Sequence, residues 1–260
     1  MKKLFALILS FASFNVLSAP QSVPWPYWNS SQESSTTMVD HQAWQTLLDR
    51  YLIKEGDYTL FRYAAVNAKD SAYLSRYIET LSQHDPLQLS QAQQYAYWVN
   101  LYNAITVSLI IDAYPIKSIT KLGGLFSFGP WEDEVVTING KALTLNDIEH
   151  RILRPIWNDP RTHYAVNCAS LGCPNLQSQA FTAENTERLL EQAAKEFINA
   201  DKGVLELDKR TQLSSIYEWF ADDFGNTTQL KQHINRYRFQ PLSSLENVDY
   251  EYDWSLNEKK

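Results

Sequence analysis

Residues 90–114 constrain the fold more than any other stretch of the chain. Ser90 is a favoured residue for capping a first helical turn, Pro115 ends the pattern, and neither glycine nor proline interrupts residues 91–113. Apolar side chains fall on nearly every side of this helix, which is typical of a helix surrounded by protein. We therefore predict a long helix at 91–113, buried in the middle of the molecule.

Shorter patterns surround it. Apolar residues at helical spacing predict amphipathic helices at 40–52, 71–81, 144–154, 182–199, 214–220 and 227–237. Asn139-Gly140 between short apolar runs predicts a two-residue β-hairpin that joins residues 134–138 to 141–143. A second hairpin is predicted from 204–207 and 211–213. The fold class is therefore α+β: a mainly helical single domain with a buried central helix and small antiparallel β-hairpins.

The first residues have the features of a secretory signal. Met1-Lys2-Lys3 is basic, residues 4–17 are mostly apolar, and small residues follow. We predict a signal peptide at 1–18, an N-terminal arm and linker at 19–38, and one globular domain at 39–260. No later apolar run reaches the ~20 residues that span a bilayer. The expected location is a bacterial periplasm or the outside of the cell, with no membrane span.

The charge of the chain limits its partners. Its formal net charge is −7, and its lysines and arginines are not clustered. Binding to nucleic acid or to anionic lipid through a charged surface is therefore not expected. A small molecule or a peptide is the predicted ligand.

Two asparagines lie on one stripe of the central helix. Asn100 and Asn103 both point into an apolar region, and each side-chain amide has donors and an acceptor to satisfy. Leaving such a group without a partner would cost about 1–3 kcal/mol. Either the asparagines tie down a neighbouring loop, or they orient a catalytic group or hold a reacting oxygen.

Residues 161–174 contain both cysteines of the chain. Tyr164, Val166 and Cys168 alternate with residues of the opposite face, which predicts a short strand running into a loop. An oxidising compartment and the five-residue separation favour a disulfide between Cys168 and Cys173. Alternatively, Cys168 is a thiolate nucleophile, which needs a base within hydrogen-bond reach.

Three histidines are candidates for that base. Five residues away, His163 would lie on the face opposite Cys168 in a strand, and well off the same face in a helix. His150 comes from a separate predicted helix and is therefore the preferred base, with Glu149, Asn100 or Asn103 to orient it. His233 is a further alternative.

Glu149 lies on the apolar face of the predicted helix at 144–154, so its carboxylate must be paired or have a raised pKa. The structural explanation of such a carboxylate is an ion pair with an arginine such as Arg154 or Arg161.

Other site chemistries have weaker support. The two cysteines with His150 and His163 could offer four ligands, but their spacing is not that of a zinc motif. We predict neither a metal nor a cofactor. The Gly-x-Ser-x-Gly pattern of many serine hydrolases is absent from the sequence.

Four segments of the chain resemble one protein family. They are His163-Tyr-Ala-Val-Asn-Cys168 with the following Cys173-Pro174, and residues 97–104, 148–154 and 248–257. In these segments the chain resembles the domain of unknown function 547 family, over roughly residues 40–257. The resemblance implies no particular activity, and because the family has members in reducing compartments it does not imply a general disulfide. From the residues we predict a secreted or periplasmic thiol-dependent hydrolase or acyl transferase. The alternative is a non-catalytic binding or scaffolding domain stapled by a Cys168–Cys173 disulfide.

Overall fold

A computed structural model describes residues 20–124 and 128–260 of the chain, so the predicted signal peptide lies outside the described residues. The α-helices are α1 (Gln42–Tyr51), α2 (Ala68–Ser82), α3 (Gln91–Ala113), α4 (Arg154–Trp157), α5 (Thr162–Ala165), α6 (Thr186–Asn199), α7 (Ile216–Trp219), α8 (Ala221–Phe224) and α9 (Thr227–Tyr237). A π-helix at Asp147–Leu153 precedes α4. The mainly helical α+β prediction is confirmed.

The strands form three small sheets. They are β1 (Leu52–Glu55), β2 (Tyr58–Phe61), β3 (Val136–Ile138), β4 (Lys141–Leu143), β5 (Val204–Leu207), β6 (Arg210–Ser214) and β7 (Val248–Glu251). The sequential pairs β1–β2, β3–β4 and β5–β6 are antiparallel. Strand β7 adds to β6 in parallel, a pairing that the predicted antiparallel hairpins did not include. Parallel pairing joins segments far apart along the chain, which local patterns do not reveal.

Helix α3 occupies the centre of the larger apolar core, as predicted. Ser90 Oγ accepts from the Gln93 N–H and caps its start. A second apolar core lies between α6, α9 and the third sheet. Tyr164 packs in this second core and its neighbour Ala165 in the first, so α5 lies between the two cores.

The N-terminal arm packs against the domain. Trp28 is buried, and its ring lies 5.2 Å from the Trp98 ring of α3, edge to face. Nearer the start of the arm, the Val23 N–H donates to the His150 carbonyl, and the Trp25 N–H donates to the Arg151 carbonyl. The arm therefore lies along the π-helix.

Pro155 explains why those two carbonyls are free. A carbonyl in a π-helix accepts from the residue five positions later and one in an α-helix from the fourth. The His150 carbonyl in the π-helical register and the Arg151 carbonyl in the α-helical register would both accept from residue 155. That residue is Pro155, which has no N–H. The predicted single helix at 144–154 is thus mainly a π-helix, and the arm supplies its missing donors. Thr144 and Asp147 form a capping box at the start of this segment: Asp147 N–H donates to Thr144 Oγ1, and Thr144 N–H to Asp147 Oδ2.

The predicted strand before Cys168 is wrong. Residues Thr162–Ala165 form the helical turn α5, and Val166 leads into a loop. Side chains from 163 to 167 are buried on all sides because α5 lies between two cores, so their alternation does not reflect a sheet face. In the part of the chain that the structure describes, no helix has both the length and the apolar character to cross a membrane.

Candidate functional site

The cysteine loop opens onto a cavity of about 660 Å³. Its polar lining includes Glu149 and His150 from the π-helix, His163 from α5, and Cys168 and Cys173 from the loop. The remaining lining is mostly aromatic and comes from the segment after residue 127, from α7 and from the C-terminal tail: Phe128, Trp131, Trp219, Phe220, Tyr252 and Trp254. The cavity therefore joins most of the residues that the sequence marked as candidates.

Asparagine side chains fix the loop. Asn103 Nδ2 donates to the Ala165 carbonyl, and Asn103 Oδ1 accepts from the Asn167 N–H. Asn167 Nδ2 in turn donates to the Pro174 carbonyl and closes the loop. Asn103 therefore positions the chain just before Cys168 without contacting its sulfur.

Asn100 makes the same pair of bonds elsewhere, to the N–H and carbonyl of Phe181. Both asparagines tie segments to the central helix, which is the structural role weighed from the sequence.

The Cys168 thiol is half-buried and has three polar neighbours. Its Sγ lies 2.9 Å from Tyr252 Oη, 3.2 Å from Ser170 Oγ and 2.6 Å from Cys173 Sγ. Burial acts to raise the pKa of this thiol, but hydrogen bonds from Cys173, Ser170 and Tyr252 outweigh it, so that the pKa lies below its usual value. Cys168 is the more acidic of the two thiols.

Cys173 is the second thiol of the loop, next to Cys168. This thiol is buried, and burial together with the neighbouring Cys168 sulfur raises its pKa well above the usual value. Lys202 Nζ donates to the Cys173 carbonyl and to Asn175 Oδ1. Burial lowers the pKa of Lys202 to about 8. The loop thus has an acidic outer thiol and a weakly acidic inner thiol, with an amine beside them.

Glu149 pairs with histidines and not with an arginine. Its Oε1 lies 3.9 Å from His150 Nδ1 and 3.8 Å from His163 Nδ1. Arg154 and Arg161, the partners considered from the sequence, instead bind other carboxylates. Glu149 also accepts a hydrogen bond from Tyr102; burial first, then the Glu149 charge, raises the pKa of that phenol well above its usual range.

His150 is arranged as a hydrogen-bond donor. Arg154 Nη1 lies 2.9 Å from His150 Nδ1, and since a guanidinium can only donate, Nδ1 is the acceptor. Burial, with a smaller effect of Arg154, lowers the pKa of His150 to about 4. The ring is therefore neutral at pH 7 with its proton on Nε2. A base needs a free nitrogen lone pair, so this geometry favours a donor role over the predicted role of base.

His163 and Asp223 form the pair expected of a base and its orienting group. His163 Nε2 lies 2.7 Å from Asp223 Oδ2, which also accepts from Arg154 Nε. Burial would raise the pKa of Asp223, but the bonds from His163 and Arg154 hold it well below its usual value. Because His163 Nε2 bonds to the Asp223 carboxylate, the other ring nitrogen, Nδ1, is the one that can exchange a proton. Nδ1 lies 3.8 Å from Glu149 Oε1.

The objection to His163 assumed that residues 163 to 168 form one strand or one helix, and they form neither. His163 lies on a helical turn, Cys168 lies in a loop, and both line the same cavity. Among the described residues, no hydrogen bond joins the Cys168 sulfur to a histidine ring. His233 does not line the cavity. Its Nε2 lies 2.9 Å from Tyr164 Oη.

Sequence reasoning missed Asp223, Tyr252 and Ser170. Asp223 lies in the short helix α8, 60 positions after its histidine partner. The aromatic-rich tail was the available signal for Tyr252, since it predicts a docked segment. In the ranges 20–124 and 128–260, no cluster of three or more histidine, cysteine or acidic side chains has an arrangement that could hold a metal ion.

Comparison with known proteins identifies one family. Residues 86–198 match the family described as protein of unknown function, DUF547. Three of the four resembling segments lie inside that range, and residues 248–257 lie beyond it. Comparisons with curated proteins and with solved structures find no match. The matched range includes α3, the π-helix, His163 and both cysteines, so the region that contains the candidate site is similar to the DUF547 family.

Proposed function

We propose that the protein is an exported thiol-dependent hydrolase or acyl transferase with Cys168 as its nucleophile. The observation that carries the proposal is a half-buried thiol of lowered pKa that shares one cavity with an Asp223–His163 pair. Nucleophilic catalysis needs these three parts: an activated nucleophile, a base and a group that orients the base.

The reaction has two steps. Cys168 Sγ attacks the carbonyl carbon of an ester, thioester or amide, the bond to the leaving group breaks, and the leaving group takes the thiol proton through His163 Nδ1. A thioester on Cys168 remains. Water or another acceptor then attacks it, His163 takes the acceptor's proton, and the acyl product leaves as the thiol is restored. Closer contact between sulfur and histidine is expected once substrate is bound.

His150 and Asn103 have supporting roles in this scheme. The neutral His150 ring carries its proton on Nε2 and lines the cavity, so it can donate to the oxygen that gains charge as the carbonyl is attacked. Asn103 acts as a positioning residue through the backbone before Cys168. Glu149 Oε1 lies between the two histidines, 3.9 Å from His150 Nδ1 and 3.8 Å from His163 Nδ1.

The test is the formation of an acyl-enzyme. Incubation with p-nitrophenyl acetate should give a burst of nitrophenolate equal to the protein concentration and one acetyl group on Cys168, detected by intact and peptide mass. Cys168→Ala should abolish both, and Cys173→Ala should retain the acetyl group. His163→Gln should slow acetyl turnover at least about tenfold. The matched control is His233→Gln, a histidine outside the cavity lining. Acetylation that persists in Cys168→Ala would refute the proposal.

One observation favours the second candidate, a binding or scaffolding domain with a structural disulfide. The two Sγ atoms lie 2.6 Å apart, about 0.5 Å beyond a covalent S–S bond, so oxidation needs little movement. Intact mass of exported protein, alkylated before and after reduction, separates the two candidates. Alkylation only after reduction would favour the disulfide, and immediate alkylation at Cys168 would favour the enzyme. The same spectrum tests export, since signal removal predicts a chain that begins at Ala19.

A further inference from the structure

The aromatic side chains of the cavity form one continuous wall. Phe128 and Trp131 stack with centroids 6.1 Å apart, and Trp131 contacts Trp254 at 5.6 Å. Trp254 then contacts Tyr252 at 4.6 Å and Trp219 at 5.6 Å. Neighbouring rings touch, so the wall offers a long aromatic surface and not a set of separate contacts.

The inner end of this wall meets the reactive groups. Tyr252 Oη lies 2.9 Å from Cys168 Sγ. On the neighbouring side, the Phe220 ring stacks on His163 at 4.3 Å with an interplanar angle of 14°. A ligand that lies along the wall with one end against Tyr252 therefore has that end beside the nucleophile.

The outer end of the wall carries a carboxylate held in place. Glu132 follows Trp131, is exposed, and lines the cavity. Asn146 fixes both: its N–H donates to the Trp131 carbonyl, and its side-chain amide donates to Glu132 Oε1. The position of Glu132 at the cavity edge is thus set by two hydrogen bonds from one residue.

The charges around the cavity favour a cation. Among the described residues that line it, the charged side chains are Glu132 and Glu149. The Arg154 guanidinium lies over Phe220 at the inner end and is paired with Asp223. The Lys202 amine lies beside the cysteines and offsets a Cys168 thiolate. The outer half of the wall is therefore aromatic and negatively charged, which is the surface that attracts alkylammonium groups.

We infer that the substrate carries an alkylammonium group on an apolar body, with the cation against Trp131 and Glu132 and the reacting carbonyl at Cys168. The placement of the carbonyl rests on the proposed function. The charge preference rests on the wall and on Glu132 alone, so it can be tested without catalysis.

The experiment measures binding in a Cys168→Ala protein by tryptophan fluorescence, since three tryptophans line the cavity. Choline is compared with 3,3-dimethylbutan-1-ol, which has the same shape without the charge, and with 3,3-dimethylbutanoate. Choline should bind at least about fivefold more tightly than either. Glu132→Gln, which can keep the bond from Asn146, should weaken choline binding about threefold and leave the alcohol unchanged. Glu134→Gln, an exposed glutamate outside the cavity lining, is the matched control.

The outcomes are separable. Equal binding of choline and the alcohol, tighter binding of the anion, or equal effects of the two glutamate variants would overturn the inference. If choline is preferred but wild-type Cys168 is not acylated by p-nitrophenyl acetate, the proposed function fails and the ligand class stands. If Cys168 is acylated and choline is not preferred, the ligand class fails alone.

Discussion

The hydroxyl of Tyr252 should control the acidity of Cys168. Ser170 Oγ lies within hydrogen-bond distance of both Tyr252 Oη and the sulfur, and it has one proton to share between them. Tyr252 Oη accepts from Ser170, so its own proton is available for the sulfur 2.9 Å away. Tyr252→Phe removes this donor and keeps the ring that packs on Trp219 and Trp254.

The size of the effect follows from the charge on the acceptor. A hydrogen bond to a charged group contributes about 1.5–3 kcal/mol, and one pKa unit corresponds to about 1.4 kcal/mol. Ser170 remains near the sulfur and can compensate in part, so the lower end applies. The pKa of Cys168 should rise by about one unit. Below that pKa, alkylation of Cys168 should then be about tenfold slower.

The assay is the rate of iodoacetamide alkylation at Cys168 between pH 5 and pH 9, followed by peptide mass in a Cys173→Ala background. Tyr250→Phe, two residues away and partly exposed on β7, is the control. Equal pH midpoints for Tyr252→Phe and the control would refute the assignment of Tyr252 as the donor. A fall in thermal stability without a shift of the midpoint would give Tyr252 a packing role only.

Three further predictions concern stability, each measured as the free energy of unfolding in urea. Burial lowers the pKa values of His41 and His150 to about 4, so between about pH 6.5 and pH 4 the unfolded chain binds protons that the folded chain does not. Stability should therefore fall by about 2 kcal/mol per histidine from pH 7 to pH 5, and a flat profile would contradict this. Asn103→Ala leaves two buried backbone groups without partners and should cost about 2–4 kcal/mol; a loss below 1 kcal/mol would mean that the loop is held otherwise. Gly172→Ala places a Cβ 2.7 Å from the Asp253 backbone N, so it should displace the C-terminal tail and lower the free energy of unfolding by about 1–3 kcal/mol. An unchanged alkylation rate at Cys168 would show that the tail stays docked.

Features set by neighbouring residues were predictable. The central helix follows from uninterrupted apolar character between a serine cap and a proline. The β3–β4 hairpin follows from Asn139-Gly140, whose φ angles of 49° and 71° are those that these residues tolerate. The cysteine loop, which lines the candidate cavity, could be singled out because both cysteines lie there. In each case the signal and the structure lie within one short segment.

Features set by distant residues were not predictable. The alternation at 163–167 has the period of a strand, yet packing between two cores makes it a helical turn and a loop. Asp223 became the partner of His163 through the tertiary fold, with no pattern linking the two in sequence. His150 was predicted as a site residue, but its tautomer could not be predicted, since that depends on where the Arg154 guanidinium points.

Pro155 has a practical consequence for how the protein is shortened or tagged. The carbonyls of His150, which lines the cavity, and of its neighbour Arg151 accept from the Val23 and Trp25 N–H groups of the arm. A version that begins after residue 28 would lose more than a peripheral segment, because no other part of the helix can supply a proton where proline stands. The π-helix that carries Glu149 and His150 is in this sense completed by a distant stretch of chain. An affinity tag is best placed so that residues 20–28 keep their course along the π-helix.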